Sequence, residues 1–282
     1  MVWGEWWGDV LAQYFRTVEI FGDYVHNVDM TTHRPGAQVL HRAASVLRAI
    51  SAHQDEGVAT GTLAEAIGLS RSTVHRIVAA LEEEGLVDYD STTGRWFLGA
   101  ELYVFGELAR SRFELTNHAG RILEKLARDT GESAFLSVRR GFETVCLLQE
   151  QGSFPLRSFV LYEGIRFPLG VASAGLVLLA FMPDAQIRHY LTDARLDDNY
   201  GPAYTPEALW ERIRDTRRRG YSINPGLIVE GSWGLGAAVA SDASEPQWAL
   251  SVTGVHSRFS PARIPELGKE LMDAAHLLAR TR

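Results

Sequence analysis

The stretch Leu63-Ala64-Glu65-Ala66-Ile67-Gly68-Leu69-Ser70-Arg71-Ser72-Thr73-Val74-His75-Arg76-Ile77 reads as two helices joined at a sharp turn. Thr62 and Glu65 have the spacing of a capping box, in which two side chains satisfy free N–H groups at a helix start. Gly68 closes that short helix, because glycine enters the left-handed conformation without steric cost. Ser70 is a good cap for the next helix, predicted from Arg71 to about Glu84 and ended by Gly85. At about 100° per residue, Val74, Ile77, Val78 and Leu81 share one face of it. Ser72, His75, Arg76 and Ala79 fall opposite, and Arg71, Ser72 and Thr73 occupy the first turn. An apolar back for anchorage with a polar front is what a helix needs to sit in the major groove of DNA. Arginine can reach guanine O6 and N7 with two hydrogen bonds, while Ser and Thr hydroxyls and helix N–H groups hold phosphates.

Upstream, Val39, Ala43, Leu47 and Ile50 recur at helical spacing from Val39 to Ala52, and Gln54-Asp55-Glu56-Gly57 ends that helix. Downstream, Leu86–Tyr89 and Arg95–Leu98 flank the turn-rich Asp90-Ser91-Thr92-Thr93-Gly94 and predict a hairpin. Short helix, turn, helix, hairpin is the order of a winged helix-turn-helix. Arg42 on the first helix and Arg95 on the wing could hold more of the DNA backbone. A capped amphipathic helix also occurs in most globular proteins, and residues 36–98 carry five arginines against eight acids, a net of -3. The distribution favours the DNA reading where the total does not: Glu82, Glu83 and Glu84 lie at the far end of the helix, and the cations at its start and on the wing. A ligand-sensing adaptor whose helix-turn-helix only dimerises is the alternative.

Beyond residue 99 the pattern changes. A helix is predicted over Ala100–Glu114, with Leu102, Phe105, Leu108 and Ala109 on one face. A second carries Leu115, Ala119, Ile122, Leu123 and Leu126 and ends at Gly131. Strands are predicted at Ser133–Arg139, Glu143–Glu150, Leu156–Tyr162, Leu235–Ser241 and Trp248–His256. Helices are predicted at Ser173–Met182, Ala185–Leu191, Pro206–Arg219 and Pro261–Leu278. Consecutive strands with short turns imply an antiparallel sheet with helices packed on it, an α+β domain.

Composition removes several function classes. The 282 residues are 46% hydrophobic and 22% charged, which is ordinary for a globular chain of two domains. No apolar run approaches the roughly 18 to 20 residues of a membrane span. The net charge of -7 argues against indiscriminate coating of nucleic acid. The single cysteine, Cys146, excludes an intramolecular disulfide and reads as a buried, inert thiol. The nine histidines include no HExxH pair, so no metal is expected. Gly170-Val171-Ala172-Ser173-Ala174-Gly175 has the wrong spacing for a nucleophile elbow. No Gly-Lys-Ser/Thr follows it, so it is not a phosphate loop. Asp197-Asp198, beside Asn199 and Gly201, reads as a solvated loop. The chain is therefore expected to be neither an enzyme nor dependent on a cofactor. Residues 1–35 are rich in aromatics (Trp3, Trp6, Trp7, Phe15, Phe21, Tyr24), but Glu5 and Asp9 interrupt them, so a signal peptide is not expected and a cytoplasmic protein is. Two readings of that segment stay open: a start at Met30, or an amphipathic arm.

These residues resemble the IclR family of bacterial regulators. The likeness lies in Leu40–Leu47, in Leu63–Arg76, in Leu81, Gly85 and Phe97-Leu98-Gly99, and then in Gly164–Leu169, Ala174-Gly175, Leu179-Ala180, Arg219–Ser222 and Ala249–Gly254. It implies a winged helix-turn-helix (residues 36–99), a linker helix (100–114) and a GAF-like effector-binding domain (115–282), an antiparallel sheet flanked by helices. It also implies a transcriptional repressor or activator, a homodimer or tetramer on a roughly palindromic double-stranded operator. Its DNA-binding residues would be Arg42, Ser70, Arg71, Ser72, Thr73, His75, Arg76 and Arg95. The effector would be a small organic acid or aromatic compound of a catabolic pathway, held by Ser173, Ala174, Asn224, Gly234, Ser251 and Thr253. The pattern is broken at four places: Gly170 stands for a usual histidine, Ser173 for a glycine, Asn224 for an acid and Gly234 for a cysteine. Losing the acid favours an anionic or neutral ligand, and losing the cysteine leaves room for one at least as bulky as a simple keto acid. A helix starting near Ser173 would favour an anion through its free N–H groups and dipole. Ser251 and Thr253 alternate along a strand, so their hydroxyls would face one side.

Overall fold

The computed structural model describes residues 37–53, 55–156, 158, 160–240 and 245–281. The N-terminal extension, with the Met30 and arm readings, lies outside them. The chain forms two compact units that divide between Arg112 and Phe113.

The first unit begins with helices α1 (Gln38–Ser51), α2 (Thr60–Ala66) and α3 (Arg71–Glu83). An antiparallel hairpin follows, β1 (Val87–Asp90) with β2 (Arg95–Leu98). Val46, Ile50, Leu63, Val74, Val78, Leu81, Val87 and Trp96 close its core. Two expectations are corrected. Val39 is exposed and outside the core; Ile50 is buried and Ala43 and Leu47 pack against the core as expected, with Val46 added to the stripe. The capping box at Thr62 does not form: α2 starts at Thr60 behind Ala59, with no side-chain cap. An isolated β-bridge between Val58 and Trp96 extends the chain just before this point, so the helix starts three residues early and Thr62 falls inside it. Thr60 Oγ1 accepts a hydrogen bond from Trp96 Nε1 at 2.9 Å, tying that start to the wing. Gly68, at φ +64°, makes the turn between α2 and α3. Helix α4 (Ala100–Ala109) follows and passes into a 3₁₀ turn over Arg110–Phe113, so it is shorter than predicted.

The second unit is a six-stranded sheet with helices on both faces. Its elements, in chain order, are α5 (Leu115–Thr130), β3 (Ser133–Arg140), β4 (Glu143–Glu150), β5 (Arg166–Pro168), α6 (Ser173–Ala180), α7 (Asp184–Ala194), α8 (Leu196–Tyr200), α9 (Pro206–Arg219), β6 (Ser222–Pro225), β7 (Ser232–Val239), β8 (Trp248–Val255) and α10 (Arg263–Ala279). The strand order is β5-β4-β3-β8-β7-β6, every neighbouring pair antiparallel. One face presents Ala134, Leu136, Val138, Leu235, Ala237, Leu250 and Val252 to the apolar sides of α5 and α10. The other carries small and polar residues and receives α6, all eight residues of which are buried. Helix α9 packs on α6.

Three further expectations are corrected. Leu156–Tyr162 holds no strand among the described residues; the edge beside β4 is taken by Arg166–Pro168, and Gly164 N and Ile165 O already bond to Cys146. Strand β6 was not anticipated, since four residues ending in proline carry little alternation. Asp197 and Asp198 lie in the short helix α8 rather than in a loop, behind Arg195 at φ +42°.

Helix α6 sits close to β7. A Cβ on Gly236 would lie 2.6 Å from the Ser173 carbonyl oxygen, and one on Gly234 would lie 3.1 Å from Ser173 Oγ. Backbone cannot yield as a flexible side chain would. Gly236→Ala is therefore expected to destabilise the second unit by about 1–3 kcal/mol. Urea denaturation of the full chain checks this; an unchanged midpoint would show that α6 is free to shift.

Candidate functional site

The first unit builds one polar surface. Ser70 caps α3: its Oγ accepts from Thr73 N at 3.2 Å and lies 3.1 Å from Ser72 Oγ and 2.8 Å from Thr73 Oγ1. That cap fixes the first turn and presents Arg71 and Ser72 to solvent, with Thr73 half-buried. One turn on, His75 and Arg76 are exposed, and behind them Val74, Val78 and Leu81 are buried. Arg42 is half-buried on α1. Arg95 is also half-buried, and its Nη1 donates to Glu56 O at 3.2 Å and Gly57 O at 3.0 Å, so part of its guanidinium binds the loop before Val58. At the wing tip, Asp90 accepts from Thr92 N (2.8 Å) and Thr93 Oγ1 (2.7 Å), and these bonds lower its carboxyl pKa. Glu82, Glu83 and Glu84 are exposed at the far end of α3.

In the second unit the register brings the other set of residues together. Asn224 pairs with Gly234, Gly234 with Thr253, and Thr253 with Ser133. Two positions along, Ser222, Gly236, Ser251 and Phe135 form the neighbouring row. With a side-chain period of two, both rows face the same side, toward α6. Ser173 and Ala174 open that helix and are buried. Ser251 Oγ and Thr253 Oγ1 are buried and have no hydrogen-bond partner among the described residues. Asn224, standing where an acid is expected, clamps backbone: its Nδ2 donates to Val171 O at 2.8 Å, and its Oδ1 accepts from Leu227 N at 3.0 Å.

Three residues escaped the sequence reading. Ser222 Oγ donates to Ser173 O (2.6 Å), with Gly236 O at 3.3 Å, which fixes the first peptide of α6. The Tyr204 hydroxyl donates to Val171 O at 3.4 Å, the oxygen that Asn224 also holds. Arg212 Cζ lies 5.2 Å from the centre of the Tyr204 ring. Burial lowers the Arg212 pKa and Tyr204 works against that shift; burial raises the Tyr204 pKa, with Arg212 and Asn224 opposing it. The signal for Arg212 was present in the sequence. Leu209, Arg212, Ile213 and Thr216 share one stripe of α9, and the other three are buried.

The cluster is rich in donors: hydroxyls, the first N–H groups of a helix and a guanidinium. Among the described residues no group of three His, Cys, Asp or Glu could hold a metal, and no helix is long and apolar enough to cross a membrane.

Residues 108–280 match the family described as bacterial transcriptional regulator IclR C-terminal, and residues 39–91 match the IclR helix-turn-helix domain. Similar proteins include the glycerol operon regulatory protein of Streptomyces griseus, 31% identical over 86% of this chain and 95% of the relative. The transcriptional repressor IclR of Escherichia coli is 28% identical over 84% of this chain and 87% of its own. The crystal structure of a regulator from Alicyclobacillus acidocaldarius superposes with a TM-score of 0.71 at 23% identity, covering 86% of this chain and 98% of that one. An IclR homologue from Microbacterium hydrocarbonoxydans, complexed with 4-hydroxybenzoate, has a TM-score of 0.68 at 22% identity and covers 86% and 100%. The families and relatives matched are transcriptional regulators, not enzymes.

The Cys146 thiol is buried, and burial together with Glu163 pushes its pKa up to about 12. At pH 8 only about one thiol in ten thousand would be ionised, and the thiolate is the reactive form. Iodoacetamide at pH 8 should therefore label the chain only after unfolding, as read by mass spectrometry. Fast labelling of the native chain would contradict this.

Proposed function

The chain belongs to the IclR family of bacterial transcriptional regulators, and we propose that it reads its operator with the front of α3 and responds to a small organic acid bound beneath the start of α6. The observation that carries the proposal is the division of α3. Arg71, Ser72, His75 and Arg76 are exposed over a buried back of Val74, Val78 and Leu81. Arg71 and Arg76 would contact base edges, with Ser70, Ser72, Thr73 and His75 nearby on the backbone. Arg42 and Arg95 would add phosphate contacts from α1 and the wing, with the Arg95 nitrogens not spent on the Glu56–Gly57 loop. A protein that reads chromosomal DNA would work in the cytoplasm.

The operator would be roughly palindromic and the reader a dimer, or a tetramer of two dimers. Helix α4 buries none of its residues and exposes Tyr103, Phe105 and Leu108, a surface that a second copy could cover. This helix is also the segment that would link effector to DNA, with a coupling of about 1–3 kcal/mol.

The effector site would be formed by Ser173, Ala174, Asn224, Gly234, Ser251 and Thr253. Two buried, partnerless hydroxyls facing a helix start support it, because buried polar groups ordinarily find partners. The homologue complexed with 4-hydroxybenzoate makes aromatic acids the first compounds to try, and relatives that regulate glycerol and acetate operons favour a catabolic role.

The test is operator binding by two groups of variants. Arg71→Ala and Arg76→Ala should each weaken operator binding by about 1–3 kcal/mol where a bidentate base contact is lost. Ser251→Ala with Thr253→Val should leave operator affinity intact and remove its response to the acid. Full operator affinity in the arginine variants would refute the DNA reading, and an undiminished response in the hydroxyl variant would refute the effector site.

A further inference from the structure

We infer that Arg212 is the anchor for an acidic group of the effector: a two-ended organic acid seats its carboxylate against Arg212 and reaches Ser251 and Thr253 with a second hydrogen-bonding group. This rests on the reading of the region beneath α6 as the effector site.

Arg212 is an unusual cation. All three of its side-chain nitrogens are buried, none makes a hydrogen bond of good geometry among the described residues, and the polar group that acts on it, the Tyr204 hydroxyl, is uncharged. A guanidinium carries five N–H donors and stays charged. Removing it from water without an anion is among the costliest arrangements in a protein interior. The other arginines near the end of α9 are paired: Arg217 with Asp184 at 2.8 Å, Arg218 with Asp215 at 2.5 Å and Arg219 with Asp215 at 3.3 Å. For Arg212 the neighbour is Tyr204, whose ring lies 5.2 Å away and whose hydroxyl contributes to its charge balance. An aromatic face attracts a cation but leaves its N–H groups without acceptors.

Tyr204 connects this cation to the sheet. Its hydroxyl and the Asn224 amide meet on the same Val171 oxygen, and Asn224 begins the row that runs through Gly234 to Thr253. Past the Asn224 end of that row, across the Tyr204 ring, lies a guanidinium without an anion, and further along the sheet lie two hydroxyls lacking partners, Thr253 in the same row and Ser251 in the next. A carboxylate supplies the two parallel acceptors that a guanidinium fork fits. Strand spacing puts Asn224 and Thr253 roughly 10 Å apart. An acid as short as acetate would serve one end only. A ring or chain with an acceptor group at each end serves both.

The experiment uses the full chain and three probes, benzoate, terephthalate and adipate, each beside its neutral amide. Binding is read by calorimetry and by thermal shift. The wild type should prefer at least one of the two-ended acids over its amide by about 30-fold or more, the scale expected for a buried charge pair. Arg212→Met should reduce that preference to near unity while melting no lower than the wild type without ligand, since an unpaired buried charge has been removed. Arg212→Lys keeps the charge and should retain part of the preference. Ser251→Ala with Thr253→Val should weaken acid and amide alike. An Arg212→Met chain that still prefers the acid overturns the assignment, as does a wild type that binds none of the acids. If the hydroxyl variant binds every probe as the wild type does while Arg212→Met loses the acids, the reading of the region beneath α6 fails instead.

Discussion

The first peptide of α6 lies against β7 at a separation that leaves no room for a side chain on Gly236. Ser222 holds the same peptide through the Ser173 carbonyl, and Asn224 holds the approach to it through Val171. Glycine on the strand and hydrogen bonds from its neighbour therefore set where the helix begins. The helix start, in turn, faces the hydroxyls of Ser251 and Thr253. If α6 moved outward, those hydroxyls, Asn224 and the Tyr204–Arg212 pair would no longer share one neighbourhood. The opposite face of the sheet shows the contrast. There Leu136, Leu235, Leu250 and Val252 meet α5 and α10 in an ordinary apolar core. Both faces are buried, but only the α6 face mixes polar groups with its apolar residues.

A similar division governs the first unit. Its net charge is negative, so attraction to DNA would have to come from where the cations sit and not from the sum. The Ser70 cap sets the first turn of α3 and places Arg71 and Ser72 outward, and Glu82 to Glu84 lie three turns away. The bridge between Val58 and Trp96, together with Arg95 on the Glu56 and Gly57 carbonyls, joins the wing to the loop before α2. The wing is thereby fixed relative to α3 by bonds that local sequence patterns do not reveal.

Much of this was legible in the sequence. The turn at Gly68, the cap at Ser70 and the buried stripe of α3 follow from local chemistry, and the alternation of Ser251 and Thr253 follows from strand geometry. The errors arose where tertiary structure decides. Thr62 and Glu65 have the spacing of a cap, but the Val58 bridge moves the helix start upstream. Leu156 to Tyr162 look like a strand, but the edge they would occupy is held by Arg166 to Pro168. Arg212 was legible and overlooked: counting α9 at helical period puts a charged residue into a stripe otherwise filled by Leu209, Ile213 and Thr216. Tyr204 and Ser222 could not be placed from sequence, because their roles depend on which backbone oxygens the fold brings to them.

Recognition of a particular DNA sequence by the polar front of α3 would leave a footprint on the DNA upstream of the chain's own coding sequence. The expected result is a bounded protected site with two related halves, one or more helical turns apart, that fades as salt is raised from about 50 mM. Uniform coverage of the fragment, or no protection at that low salt, would contradict it.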